Sequence, residues 1–126
     1  MRKLKVFVCI PPKGYVPKPS DGYTPKSCKE YLNDRKELIF NCLQDNGLLP
    51  DWRVKSSDDI VITSWADLDQ DPPEYAVYDR LWHWGNDYKE IACCDAVIFM
   101  PGWDHALGCR KEFEMCVDLG IPYMFL

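Results

Sequence analysis

The chain has 126 residues and a mass of 14.7 kDa, within the usual size of one domain, and its 47% apolar and 28% charged residues exclude a disordered chain. A net charge of −5 and a pI near 4.9 argue against a nucleic-acid polymer as partner, since such binding draws on clustered Lys and Arg. No apolar run approaches the roughly 20 residues that span a bilayer, and Met-Arg-Lys-Leu-Lys leads straight into a strand-like run too short for a signal-peptide core. Residues 1–126 are expected to form a single soluble, cytoplasmic domain.

Residues 4–10, Leu-Lys-Val-Phe-Val-Cys-Ile, are β-branched and aromatic and stop at Pro11-Pro12, which predicts a buried first strand. Residues 11–26 add Pro17, Pro19 and Pro25 with Gly14 and Gly22, and predict a long, stiffened loop. Ser27-x-x-Glu30 reads as a capping box and Gly47 as a helix stop. The helix predicted over about residues 28–46 has Leu32, Ile39 and Leu43 on one apolar face, with Tyr31, Leu38 and Cys42 alongside. Ile60-Val61-Ile62-Thr63 predicts a strand, while residues 48–57 fit either a short strand or irregular chain.

Asp71-Pro72-Pro73-Glu74 predicts a helix start, with Asp as N-cap and Pro in the first turn. Val77, Leu81, Trp84, Tyr88 and Ile91 then recur at steps of four and three, with Asp79, His83, Asn86, Asp87 and Glu90 on a contrasting polar side. Residues 95–100 predict a buried strand ended by Pro101-Gly102. Residues 105–119 predict a third helix ended by Gly120, and residues 121–126 a last strand.

Strands alternating with helices imply a parallel sheet covered on both faces. In such sheets ligands bind beyond the carboxyl ends of the strands, where the loops 11–26 and 101–105 fall. The seven cysteines, Cys9, Cys28, Cys42, Cys93, Cys94, Cys109 and Cys116, are odd in number and hold no C-x-x-C pair. They predict reduced thiols serving as small apolar residues rather than a disulfide framework or zinc site. His83 and His105 lack a third ligand at metal spacing, so neither a metal nor another cofactor is expected.

The densest chemical signal follows the strand at residues 95–100. Gly102-Trp103 turns the chain, Gly108 permits close approach to the helix start, and Glu112 stands two turns past the strand end. Spacing leaves two readings of Glu112, a carboxylate facing the crevice or one of several charges on a helix surface. Trp103 either stacks on a ligand ring or packs the turn.

The run Gly102-Trp103-Asp104-His105-Ala106-Leu107-Gly108-Cys109-Arg110-Lys111-Glu112 resembles the C-terminal half of the nucleoside 2-deoxyribosyltransferase superfamily. It is most similar to short bacterial and phage members, which read strand, Gly-Trp, a polar pair and Ser-x-Gly-Ala-x-x-Glu. Upstream, Gly85-Asn86-Asp87-Tyr88-Lys89-Glu90-Ile91 resembles the Asn-Asp-x-x-x-Ile segment that carries a second carboxylate. The resemblance covers residues 84–124, is weak at the first strand and does not extend through the middle.

It implies a flavodoxin-like, Rossmann-like three-layer α/β domain with a parallel sheet of about four to five strands, and chemistry at the N-glycosidic bond of a nucleoside or nucleoside 5′-monophosphate. Glu112 would attack the anomeric carbon, and Asp87 would contact the base and supply its proton. Asn86, Gly102, Trp103, Asp104 and Gly108 would line the substrate site, joined from the first loop by Lys13 and Tyr15. Lys13, Lys18 and Lys26 with Ser20 would hold a 5′-phosphate or form a solvated basic loop. The resemblance also implies a homodimer, since relatives close their sites with a neighbouring subunit and this chain stops at Leu126, after its last strand.

Two positions depart from the family pattern. Ala106 stands six residues before the glutamate, where relatives carry Asp or Ser, and Phe7 aligns with a first-strand tyrosine that orients the glutamate. Tyr15 or Tyr23 is the other source of a hydroxyl. A non-catalytic nucleotide-binding protein, or a structural module on the same fold, is therefore the rival expectation.

Overall fold

In the computed structural model, which describes residues 3–11, 22–49, 52, 54–68, 73, 74 and 78–126, with backbone alone at 79 and 80, the first apolar run is paired on both sides. β1 (Leu4–Cys9) lies between β2 (Ile60–Thr63) and β3 (Ala96–Phe99), and β3 continues to β4 (Tyr123–Phe125). Every pairing is parallel, with Val6 opposite Ile62 on one side and Ala96 on the other, and Phe99 opposite Phe125. The order β2-β1-β3-β4 steps one way from β1 and then reverses. Because parallel crossovers are right-handed, that reversal puts the helices of the first crossover on one face and those of the later two on the other.

The four helices obey this rule. α1 (Pro25–Asp34) and α2 (Lys36–Asp45) bury Cys28, Leu32, Ile39, Phe40 and Leu43 against Leu4, Val6, Val8, Ala96 and Ile98. α3 (Asp79–Ala92) and α4 (Leu107–Leu119) place Ile91, Cys109, Met115 and Cys116 against Phe7, Cys9, Val97 and Phe99. Alternate residues of β1 and β3 thus face opposite layers, which is why β3, and β1 apart from Lys5, read as apolar runs. The molecule is a three-layer α/β domain of flavodoxin-like topology.

The helix expected over residues 28–46 is two helices, and its cap is Thr24 rather than Ser27. Thr24 Oγ1 accepts from the Ser27 amide at 3.0 Å, and Ser27 Oγ accepts from the Thr24 amide at 2.9 Å. Pro25 takes the first helical position, where its missing N–H costs nothing. The break falls at Arg35, whose guanidinium covers the Tyr31 ring at 3.5 Å and donates to the Tyr31 carbonyl at 3.3 Å. The Arg35 amide turns instead to the Leu32 carbonyl.

Gly47, at φ +69°, ends α2 as expected. Its amide bonds to the Gln44 carbonyl and that of Leu48 to the Leu43 carbonyl, both at 3.0 Å, satisfying groups a helix end leaves open. Gly120, at φ +68°, ends α4 in the same left-handed conformation.

The expected helix start near residue 71 is also corrected. Asp71, Pro72 and Val77 lie outside the described residues, whereas Pro73 and Glu74 are not helical and α3 begins at Asp79, after an extended Tyr78. Of the expected apolar stripe, Ile91 is buried and Trp84 packs on the core, but Leu81 is 62% exposed and Tyr88 also faces solvent. All seven cysteines are free. No helix among the described residues is long and apolar enough to cross a membrane.

Candidate functional site

The inward face of α4 reads Cys109, Glu112, Met115 and Cys116, spaced by three, three and one, so the helical period itself carries Glu112 into the core. Glu112 is 4% exposed, one carboxylate oxygen is buried without a hydrogen-bond partner, and no cation among the described residues offsets its charge. A carboxylate so placed is costly to ionise. Burial pushes the Glu112 carboxyl well above its ordinary range, and the negative charge of Asp87 pushes the same way.

Asp87 reaches this point from α3, which packs beside α4, with Lys111 of α4 lying over the Trp84 ring of α3 at 5.4 Å. Burial raises the Asp87 carboxyl from 3.8 to about 7. Two neighbouring carboxyls in a dry setting cannot both ionise cheaply, so both hold their protons above the ordinary carboxylate range. Of the expected polar side of α3, Asp87 turns inward, and Glu90 pairs with Lys5.

Two thiols complete the surroundings. Cys9, at the carboxyl end of β1, and Cys109, three residues before Glu112, are both buried in this layer, and burial, with the Glu112 charge adding to it, pushes both thiols up. Cys109 was legible from its helical spacing to Glu112. Cys9 was not, because only the packing of α4 on β1 brings it there.

The other expected site residues divide. Gly102 takes φ +87°, which only a residue without a side chain adopts at no cost, and so turns the chain out of β3. Trp103 packs the turn, with ring centroids 5.0 Å from Phe99, 5.3 Å from Phe113 and 5.2 Å from Phe125. Asp104 is exposed beside His105. A Cβ at Gly108 would meet nothing within 4 Å, so neighbouring protein does not require glycine there. Asn86 opens onto another cleft with Leu68, Lys89, Glu90 and Cys93, away from Glu112. Lys13 and Tyr15, with Lys18 and Ser20, lie outside the described residues.

Tyr23 does not supply the hydroxyl that Phe7 lacks. It packs against Tyr31 at 5.3 Å in the layer of α1, across the sheet from Glu112. Tyr23 and Tyr31 instead line a cleft of about 100 Å³ with Ile10, Pro11, Met100 and Pro101, where β1 and β3 end and the strand order reverses. A wider cleft of about 370 Å³ lies beside edge strand β2, lined by Lys3, Lys29 and Lys36; its carboxylate, Asp67, is paired with Lys29 at 3.6 Å. It lacks the paired acids of the α3–α4 layer. Ala106 occupies the N-cap position of α4 in extended backbone and provides no side-chain cap, so that helix start lacks the oxygen a Ser or Asp would offer. Among the described residues no group of three His, Cys, Asp or Glu side chains is placed to hold a metal ion.

No family model, curated protein or solved structure matches the chain.

Proposed function

We propose that the protein is an N-glycosidase or deoxyribosyltransferase-like enzyme that cleaves the N-glycosidic bond of a nucleoside or nucleoside 5′-monophosphate through Glu112. The observation that carries this reading is the buried Glu112 carboxylate, with no cation beside it among the described residues and a second acid, Asp87, next to it. Removing such a charge by an apolar substitution would stabilise a fold, so its presence points to chemistry. The likeness of residues 84–124 to the deoxyribosyltransferase superfamily supplies the substrate class.

With one proton on the pair, the productive arrangement has Glu112 ionised and Asp87 protonated. Glu112 Oε attacks the anomeric carbon as the bond to the base nitrogen breaks, and Asp87 gives its proton to the leaving base. The glycosyl ester is then resolved by water, with Asp87 as base, or by a second nucleobase. Incubation with a panel of ribo- and deoxyribonucleosides and their 5′-monophosphates, followed by chromatography of the free base, is expected to show slow release from at least one. Ala106→Ser, which restores an oxygen at the α4 start, is expected to raise that rate. No free base from any member, with saturable nucleotide binding retained, would establish the rival reading of a non-catalytic nucleotide-binding protein, which Phe7 and Ala106 favour.

A homodimer in a reducing, cytoplasmic compartment belongs to the same proposal. Leu81 and Tyr88 on α3 offer exposed apolar surface close to Asp87, and the thiols are free. Light scattering is expected to give about twice the 14.7 kDa chain mass; a monomer mass at micromolar concentration would refute the dimer.

A further inference from the structure

We propose that the groove between α1 and the edge strand β2 is a docking site for an extended acidic segment of a partner protein, which adds to the sheet beside β2 and sets its carboxylates against Lys3, Lys29 and Lys36. The groove, of about 370 Å³, lies in the α1–α2 layer, across the sheet from Glu112. Its use does not depend on the chemistry at Glu112.

The sheet order leaves β2 paired with β1 on one side only, and no strand among the described residues meets its outer edge. An open edge offers backbone donors and acceptors at the spacing of another strand, so what fits beside it is an extended chain. The groove runs the length of β2. Lys3 stands at the amino end, one residue before Leu4, the partner of Ile60. At the carboxyl end α1 begins beside Ser64, with Cys28 Sγ 3.9 Å from Ser64 Oγ and Lys29 Nζ 3.6 Å from Asp67. From there α1 runs back toward Lys3 and brings Lys36, the first residue of α2, into the same lining. Leu32, Ile60 and Ile62 form an apolar floor between these ends.

Charge sets the chemistry of the occupant. Among the described lining residues three are cationic and one is anionic, in a chain whose net charge is −5. Asp67 is already held by Lys29, and Asp59, which feels the Lys3 charge, takes the Lys55 and Ser56 amides at 2.9 and 3.1 Å. A compact anion would draw cations around one point, whereas these are spread along a strand of four residues, about 13 Å. That spread matches acidic residues four apart in an extended chain, with an apolar residue midway for the floor. Lysines that merely shield an open edge stand on the edge strand itself. Here β2 reads Ile-Val-Ile-Thr, its Val61 is 44% exposed, and all three lysines come from neighbouring segments.

The test uses the full chain and a fluorescein-labelled peptide, Ser-Glu-Thr-Val-Thr-Glu-Ser, read by fluorescence anisotropy at low and physiological salt. Saturable binding is expected, weakened by salt, about 2- to 5-fold by Lys29→Ala or Lys36→Ala, and about tenfold or more by Lys3→Glu combined with Lys36→Glu. Asp67→Asn frees Lys29 and keeps an oxygen for the Ser64 amide, so it is expected to tighten binding about 2- to 3-fold, a gain that misfolding does not produce. N-methylation of one alternate set of peptide amides should abolish binding and of the other set should leave it, because only one set faces β2. Glu112→Gln should bind the peptide as wild type does. Matching circular dichroism spectra establish that the variants are folded.

No saturable binding at either salt concentration would overturn the proposal. So would binding indifferent to both N-methylated sets, which would mark a basic patch that attracts any acid, or binding competed equally well by glutarate, which would mark a small-anion site. Self-association of the chain that Lys3→Glu with Lys36→Glu abolishes, with no peptide bound, would overturn it by giving the edge to a second copy.

Discussion

Glu112→Gln is expected to reduce base release by about a thousandfold or more while making the protein more stable above neutral pH. The rate falls because a carboxamide cannot form the glycosyl ester, and loss of a nucleophile costs far more than loss of an orienting bond. The stability rises because the native state holds Glu112 and Asp87 above their ordinary ranges, Asp87 at about 7. Native protein then binds more protons than unfolded chain from about pH 4 up to the native values, so stability is full at the acid end and falls as pH rises through about 7. Glutamine removes one of the two ionisations, and Asp87 can then ionise without a charged neighbour. Urea unfolding should show the variant about 1–3 kcal/mol more stable than wild type at pH 8 and the two converging toward pH 4. Equal stabilities across that range would mean that Glu112 is not the buried acid described here.

Phe99→Ala is expected to cost about 3–5 kcal/mol, the largest single loss in the sheet. Phe99 is fully buried in β3, which is paired on both edges, and its ring meets those of Trp103, Phe113, Tyr123 and Phe125 at 5.0–6.1 Å. Truncation leaves a cavity that these rings, anchored on three different elements, cannot close. In a domain of ordinary stability that loss lowers the melting temperature by about 10–20 °C. Phe125→Ala, at a position 49% exposed, is the control and should cost about 1–1.5 kcal/mol. Denaturant melts giving Phe99→Ala a loss no larger than the control would show that the cluster does not carry the α3–α4 face.

The parallel sheet and its two faces were legible because alternate residues of the runs at 4–10 and 95–100 are apolar on both sides, a pattern that only a doubly covered strand requires. Gly47 and Gly120 marked helix ends for the reason the structure shows, a left-handed residue after the last turn. The start of α1 was misread because Thr24 and Ser27 are both competent caps, and the choice depended on Pro25 being the first helical residue rather than the last of a loop. The two helices of residues 25–45 were not separated in advance, since no glycine or proline marks the interruption at Arg35, where the guanidinium lies over the Tyr31 ring.

For the site, local sequence placed Glu112 and Asp87 on separate helices, and spacing alone allowed either to face solvent. The structure decides for burial, since Glu112 shares the inward face of α4 with Cys109, Met115 and Cys116. That Asp87 meets it depends on how α3 packs on α4, and that Cys9 meets it depends on β1 lying beneath them. Neither relation is encoded in local spacing. Trp103 carried two readings, and its contacts with Phe99, Phe113 and Phe125 decide for packing.

The central claim, that Glu112 is a nucleophile acting with Asp87, is tested most directly by trapping the ester. A 2-deoxy-2-fluoro nucleoside carrying the base released fastest should react with the protein, because the fluorine slows hydrolysis of the ester once it has formed. Acid-quenched protein is then weighed intact and mapped by peptide mass spectrometry. The account predicts a gain of one fluorodeoxyribosyl group on the peptide that contains Glu112, and none in Glu112→Gln. Base release with Glu112 unmodified, or a label on any other residue, would contradict it.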